Sequence, residues 1–318
     1  MNDVVLSVRN LSVAFGGERP VCVTDDVSFD VRRGEFFALV GESGCGKSVT
    51  AMSLLGLLPR PSARVVSGSA LFENADLLKL SLSELRKIRG HRISVIFQEP
   101  MQALDPVRTI RSQLREALPE CDEKTALRKI GEGLASAGLF DVERILAAYP
   151  CELSGGMLQR ICIVMAMLPE PELIIADEPT TALDVTVQAA LLRVLTEMAQ
   201  KSKTAVLLIT HNMGIVAQYA HRVAVMYAGR IVECGSSRDV ILSPLHPYTQ
   251  GLIAAIPKGI SGLSRMEAIP GSVPAPSEFV CGCRFADRCG FADERCAEFP
   301  PVTGDGTHFA YCFKSGTR

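Results

Sequence analysis

"GESGCGKS" occupies Gly41–Ser48 and fits the pattern G-x-x-x-x-G-K-S. Its flanks supply the context that pattern needs. The apolar run "FFALV" (36–40) reads as a buried strand, and "KSVTAMSLLGLL" (47–58) reads as a helix. Gly41, Gly44 and Gly46 let the backbone curl so that N–H groups point inward at phosphate oxygens. The helix N-terminus adds its dipole. Lys47 supplies a point charge to the β- and γ-phosphates, and Ser48 a hydroxyl ligand for Mg²⁺. Glu42, Ser43, Cys45 and Val49 complete the expected lining. The plain alternative is a glycine-rich strand–helix turn that binds nothing. The Cys45 thiol, close to a helix N-terminus, is expected to have a lowered pKa. Alkylation there is expected to block the chemistry at the loop, with a bound phosphate ligand protecting.

Outward from the loop, "LIIADEP" (173–179) is an apolar strand ending in two acids. Carboxylates at the end of a buried strand are costly unless they meet a cation. Asp177 is expected to hold Mg²⁺, and Glu178 to accept the proton of an attacking water. Strands "VVLSVRNLSVAF" (4–15), "VTDDVSFDV" (23–31) and "TAVLLITH" (204–211) alternate with helical stretches such as "TVQAALLRVLTEMAQ" (186–200). That alternation predicts an α/β fold with a parallel-sheet core, preceded by a β-rich N-terminal part. "RVAVMYAGRIVECG" (222–235) predicts a hairpin. Strand signals fade over residues 101–150, where "IRSQLREAL" and "EKTALRKIGEGLASAGL" have helical periodicity. From residue 256 onward Pro, Gly, Ser and Cys dominate, which places a domain boundary there.

Composition narrows the function classes. The 318 residues are 47% hydrophobic, enough for a sizeable core, and the net charge of -2 gives no general attraction to nucleic acid or anionic lipid. Residues 1–20 carry Asp3, Arg9, Glu18 and Arg19 without a continuous apolar run, so no secretory signal is expected. Apolar stretches such as "AVLLIT" fall well short of the roughly 20 residues that span a bilayer. A soluble or peripheral protein is expected, bound to membranes through partners.

Two acids and a phosphate loop occur in many machines; "LSGGMLQR" (153–160) narrows the choice. Ser154, Gly155 and Gly156 form a hydroxyl-bearing, glycine-rich helix start whose donors suit a phosphate. "VIFQEP" (95–100), "ALD" (182–184) and "LLITHN" (207–212) fall in a fixed order around it. In this order the segments resemble the ATP-binding subunits of ABC transporters. The resemblance covers about residues 4–255 and implies an ABC ATPase core with an N-terminal antiparallel β-subdomain and a helical subdomain over about 101–160. It implies that Ser154, Gly155 and Gly156 of one subunit cover the γ-phosphate held by another. It gives Gln98 contact with Mg²⁺ and the attacking water, Asp184 a reach across the dimer, and His211 a place at the γ-phosphate. Phe15 takes the position of an aromatic under adenine. Each has a plain alternative: Gln98 a surface polar residue, Ser154 and Asp184 helix N-caps, His211 a strand-end histidine, Phe15 a core residue of the first strand.

"GESGCGKSVTAMSLLGLLP" (41–59), "IFQEPMQALDPVRTI" (96–110) and "LHPYTQGLIAAIP" (245–257) resemble one branch, the ATPases of dipeptide/oligopeptide and nickel importers. That branch implies two membrane permease subunits, a second ATPase subunit, an extracytoplasmic solute-binding protein, and a place on the cytoplasmic face of the inner membrane. A soluble ABC ATPase acting on ribosomes or DNA is the rival. The branch often carries a C-terminal extension, here 256–318, whose cysteines resemble ligands of a [4Fe-4S] cluster. The matching set is Cys283, Cys289, Cys296 and Cys312, with Cys281 a bystander. Zinc, aided by His308, disulfides, which would need an oxidising compartment, and free structural thiols are the alternatives. A metal staple would order a tail with too little core to fold alone.

Overall fold

The computed structural model describes residues 3–17, 20–99, 103–180, 184–256 and 269–315. In chain order the strands are β1 (Val4–Phe15), β2 (Val21–Arg32), β3 (Phe36–Val40), β4 (Ala63–Phe72), β5 (Ala75–Asp76), β6 (Ile93–Ile96), β7 (Leu173–Asp177), β8 (Ala205–Thr210), β9 (Arg222–Tyr227), β10 (Arg230–Ser236), β11 (Val302–Gly304) and β12 (Phe309–Tyr311). The helices are α1 (Lys47–Leu54), α2 (Leu82–Ile88), α3 (Ile110–Glu116), α4 (Glu123–Ser136), α5 (Val142–Ala147), α6 (Gly155–Met167), α7 (Val185–Ser202), α8 (Met213–Tyr219), α9 (Ser237–Leu242) and α10 (Pro247–Ala254). The chain divides into two units. One comprises Met1–Val5, Arg32–Gly34 and Leu80–Leu208, the other Leu6–Val31, Glu35–Lys79 and Ile209–Arg318.

The second unit holds the predicted N-terminal antiparallel sheet, in the order β2-β1-β4-β5. β2 buries Thr24, Val27, Phe29 and Val31, much of the one-sided alternation its sequence shows. Beside this sheet in the chain, β3 is buried at all five residues. It runs parallel to β9, with Phe37 opposite Arg222 and Val40 opposite Val225. β9 turns back into β10 as the predicted hairpin. Its turn residues Ala228 and Gly229 have φ of 46° and 84°, the paired positive angles whose twist matches that of the strands. α1 stops at Leu54, short of the expected Leu58, because Gly56 turns left-handed at φ 60°.

The C-terminal segment belongs to this same unit. β12 adds to β10, with Ala310 opposite Glu233 and Phe309 opposite Cys234, and β11 adds to β12. Phe285 is 3% exposed and joins Ala38, Val40, Val225, Tyr227 and Tyr248 in one core cluster. Its ring lies 5.2 Å from that of Tyr227 and 5.3 Å from that of Tyr248. Arg284 pairs with Asp25 at 2.6 Å and donates to the Ala228 carbonyl at 2.6 Å. His308 Nε2 lies 2.8 Å from the fully buried Glu233 carboxylate. Core sharing, strand pairing and ion pairs thus tie the tail to this unit.

In the other unit β6 and β7 are parallel, with Ile93 opposite Leu173 and Ile96 opposite Ala176. The expected helical stretch contains α3, α4, α5 and the start of α6. α4 buries Ala126, Ile130 and Leu134, a single face at four-residue spacing. Asp122 caps it, accepting from the Thr125 N–H at 3.0 Å, an arrangement worth about 1 kcal/mol. Among the described residues no helix is long and apolar enough to cross a membrane.

Candidate active site

The phosphate loop follows β3 and ends at the N-cap of α1, Gly46. Two of its glycines are dictated by space. A Cβ on Gly41 would stand 2.1 Å from the Met226 carbonyl oxygen. Gly46 has φ 105°, and a Cβ there would stand 2.9 Å from Met226 Cε and 3.0 Å from Thr24 Cγ2. β9 and β2 thus press the loop from behind. The Gly229 N–H donates to the Cys45 carbonyl at 2.9 Å and fixes its back. Ser43, Gly44 and Ser48 are exposed on the front, and Val49 is half-buried.

Lys47 is only 4% exposed. Its ammonium donates to the Gly41 carbonyl at 2.8 Å, to the Glu42 carbonyl at 3.0 Å and to Cys45 Sγ at 3.7 Å. A cradle of exposed backbone with a dry, centred cation fits a polyphosphate. Cys45 corrects the expected reactive thiol. It has no exposed surface, and its sulfur packs against Gly41. Burial pushes the thiol up, and the Lys47 ammonium offsets this only in part. Desolvation outweighs the helix terminus.

Phe15 ends β1 half-buried and is not among the buried core residues. His211 is exposed directly after β8, and Asn212 begins α8 by accepting from the Gly214 N–H at 2.8 Å.

The remaining expected residues lie in the other unit. Asp177 ends β7 with 7% exposure. Glu178 follows at φ 45°, a left-handed conformation costly for a side-chain-bearing residue and common at functional sites. The β6–β7 register ends with Ile96 opposite Ala176, and Gln98 and Glu178 each follow two residues later in their own segments. Gln98 is exposed there. Ser154 and Gly155 are exposed at the start of α6, with Ser154 accepting from the Met157 N–H at 3.4 Å. Asp184 is exposed and caps α7, accepting from the Val187 N–H at 2.9 Å. The N-cap alternatives are thus realised at both positions, and both keep an outward face. Ala182 and Leu183 of "ALD" and Pro100 of "VIFQEP" lie outside the described residues.

Among the described residues no group of three or more His, Cys, Asp or Glu side chains converges to hold a metal ion. The expected [4Fe-4S] ligand set, and its zinc alternative, therefore find no support in this arrangement. Cys283, Cys289 and Cys296 are half-buried, Cys312 is buried and Cys281 exposed. Burial, then the neighbouring thiols, push Cys283 up to about 11. Cys312 Sγ accepts from the Lys314 N–H at 3.3 Å.

The sequence reading missed the supports of Glu42. Its N–H donates to the Tyr248 hydroxyl at 2.9 Å, and its carboxylate accepts from Arg288 at 2.8 and 3.0 Å. Both partners lie more than 200 residues away, and no local signal marks them.

Comparison with known proteins agrees with this geometry. A family profile described as ABC transporter matches residues 24–181. A probable peptide ABC transporter ATP-binding protein, y4tR of Sinorhizobium fredii, is 47% identical over 98% of this chain and 96% of its own. The chain belongs to the ABC transporter ATP-binding subunits. It is an ATP-hydrolysing subunit of that family, and a second profile, described as the oligopeptide/dipeptide transporter C-terminal region, matches residues 232–296. The dipeptide transport ATP-binding protein DppD of Bacillus subtilis is 49% identical over 90% of this chain and 87% of its own. Among solved structures, cbiO1 of Clostridium perfringens, part of the cbiONQ complex, aligns with a TM-score of 0.65 at 25% identity over 75% of this chain and 91% of its own. The ATP-binding cassette MJ0796, a dimer in a post-hydrolysis state bound to ADP and Pi, aligns with a TM-score of 0.64 at 26% identity over 73% of this chain and 99% of its own.

Proposed function

We propose that this ABC subunit powers an importer of di- or oligopeptides. One observation carries the reading. The ABC transporter match and the oligopeptide/dipeptide C-terminal match occur in one chain, and relatives named for peptide transport align over nearly all of it. Nickel and related small solutes are the alternative cargo of the branch. The test is reconstitution with its permeases and solute-binding protein in vesicles. Peptide uptake that consumes ATP is expected; uptake of nickel alone, or of neither, overturns the cargo.

The residue roles are those that the family resemblance implies. Gly41–Val49 wrap the phosphates, Lys47 moves from its carbonyls to the β- and γ-phosphates, and Ser48, Gln98 and Asp177 are the Mg²⁺ ligands of this reading. When bound, the ion would supply charge neutralisation for the phosphates. Glu178 takes the proton of the attacking water. His211 contacts the γ-phosphate and Phe15 stacks on adenine. Ser154, Gly155 and Gly156 present N–H and hydroxyl donors to the nucleotide of a second ATPase subunit, with Asp184 reaching the same interface. ATP binding closes that pair, and hydrolysis reopens it.

In this reading 1–255 is the ATPase domain, with a helical subdomain over about 101–160, and 256–318 is a cysteine-rich extension. Two permease subunits hold the chain at the cytoplasmic face of the membrane. For Cys283, Cys289, Cys296 and Cys312, ligation of a [4Fe-4S] cluster is the finer reading. It is supported by the cysteine spacing of the sequence, with gaps of 5, 6 and 15 residues between neighbouring ligands. Anaerobic purification should then yield about four irons and four labile sulfides per chain. A metal-free protein with an ordered tail overturns it.

A further inference from the structure

Glu42 is held at all three of its polar groups. Its carbonyl accepts from the Lys47 ammonium at 3.0 Å, and its N–H donates to Tyr248 at 2.9 Å. Its two carboxylate oxygens accept from Arg288 NH1 and NH2 at 2.8 and 3.0 Å. The first contact is internal to the phosphate loop. The other two come from α10 and from the C-terminal segment, within the same unit.

Arg288 is itself pinned. Its side chain is 6% exposed. Its Nε donates to the Pro270 carbonyl at 2.7 Å and its NH1 to the Tyr227 hydroxyl at 3.3 Å. Its guanidinium lies 5.6 Å from the Tyr227 ring and 5.9 Å from the Phe285 ring. A planar fork fixed on this many sides is pre-organised for a carboxylate, which a lysine cannot reproduce. The pair also answers an electrostatic problem. An uncompensated carboxylate on the second residue of a phosphate loop repels a polyanion.

We propose that Arg288 is a positioning residue of the phosphate loop, whose paired bonds to Glu42 make the C-terminal segment a determinant of ATP affinity. The proposal rests on the nucleotide-site reading above. Releasing Arg288 leaves the Glu42 carboxylate uncompensated beside the phosphate site and removes the tether that fixes the second residue of the loop. The cost falls on nucleotide binding, because Arg288 touches none of the reacting atoms.

The test uses the full chain and titration calorimetry with Mg-ATP, with a thermal midpoint recorded for each variant. Arg288→Gln is expected to weaken ATP binding about tenfold, a coupling ordinary for contacting charged groups. Arg288→Lys, which keeps bulk and charge, should lose affinity severalfold, and it carries the test if Arg288→Gln does not fold. Glu42→Gln/Arg288→Gln together should bind no more weakly than Arg288→Gln alone. The matched control is Arg295→Gln, beside Cys296 in an exposed pair with Asp293; it should leave affinity unchanged. In the assembled transporter the Arg288→Gln effect should fall on the KM for ATP, with kcat changed less than about twofold. A lowered thermal midpoint with unchanged affinity, or additive effects in the double variant, overturns the proposal. A wild-type chain that binds no ATP overturns the nucleotide-site reading and the proposal together. Wild-type binding with unmoved Arg288 variants overturns the proposal alone.

Discussion

The Lys47 ammonium donates to the Gly41 carbonyl at 2.8 Å, so the cation that a phosphate recruits is already satisfied inside its own loop. In the proposed role, nucleotide binding exchanges this bond, and the one to Glu42, for bonds to phosphate oxygens. Lys47→Met removes the exchange. ATP affinity should fall about 10- to 100-fold, as expected for one or two charge-assisted hydrogen bonds. Titration with Mg-ATP reads this directly; affinity within twofold of wild type would refute it.

Glu178 stands in a left-handed conformation directly after β7. Glu178→Gln keeps the shape and removes the base. Turnover should drop by about 10²- to 10⁴-fold, the usual contribution of a positioned base. ATP binding should persist. Single-turnover hydrolysis beside equilibrium binding separates the two effects.

Cys45 should resist alkylation in the folded chain. Its sulfur is buried and its thiol is pushed up. Maleimide should label exposed Cys22, Cys151 and Cys281 first. Peptide mapping by mass spectrometry reads the order. Early labelling of Cys45, with ATP protection, would restore the reactive-loop reading.

His246 predicts a pH dependence. Burial lowers its imidazole to about 3, against about 6.5 in an unfolded chain. The unfolded state therefore binds more protons between those values, and stability rises with pH across that window. The contribution is complete above about 6.5 and is lost as pH falls toward 3, with a slope of at most about 1.4 kcal/mol per pH unit. The local cause is visible, since Nδ1 accepts from the Tyr248 N–H at 3.0 Å and cannot do so once protonated. His246→Asn keeps a capping acceptor without the titration. Its thermal midpoint should fall less steeply than wild type between pH 6.5 and 4.

The phosphate loop, the acid-ended strand and the hairpin were legible because each is short-range chemistry. "FFALV" is buried because it is apolar, and Gly41 is glycine because a neighbouring carbonyl leaves no room. Tail order was not legible. β11 and β12 have three residues each, too short for a periodicity, and their pairing depends on β10 some 70 residues earlier. The Glu42–Arg288 pair spans 246 residues, and no spacing rule links its ends. Cys45 misled for a related reason. Its sequence neighbours announce a helix terminus, while its desolvation comes from tertiary packing.

The pairing of β12 with β10 has a consequence for solubility. A strand edge with open N–H and C=O groups is a template for another chain. Along Glu233 and Cys234 that edge is occupied by Ala310 and Phe309, and His308 sits against the Glu233 carboxylate behind it. Cutting the chain before residue 269 would strip this guard and empty the socket filled by Phe285. The shortened cassette would be left sticky along one border, and aggregation would arrive before any loss of catalysis could be measured.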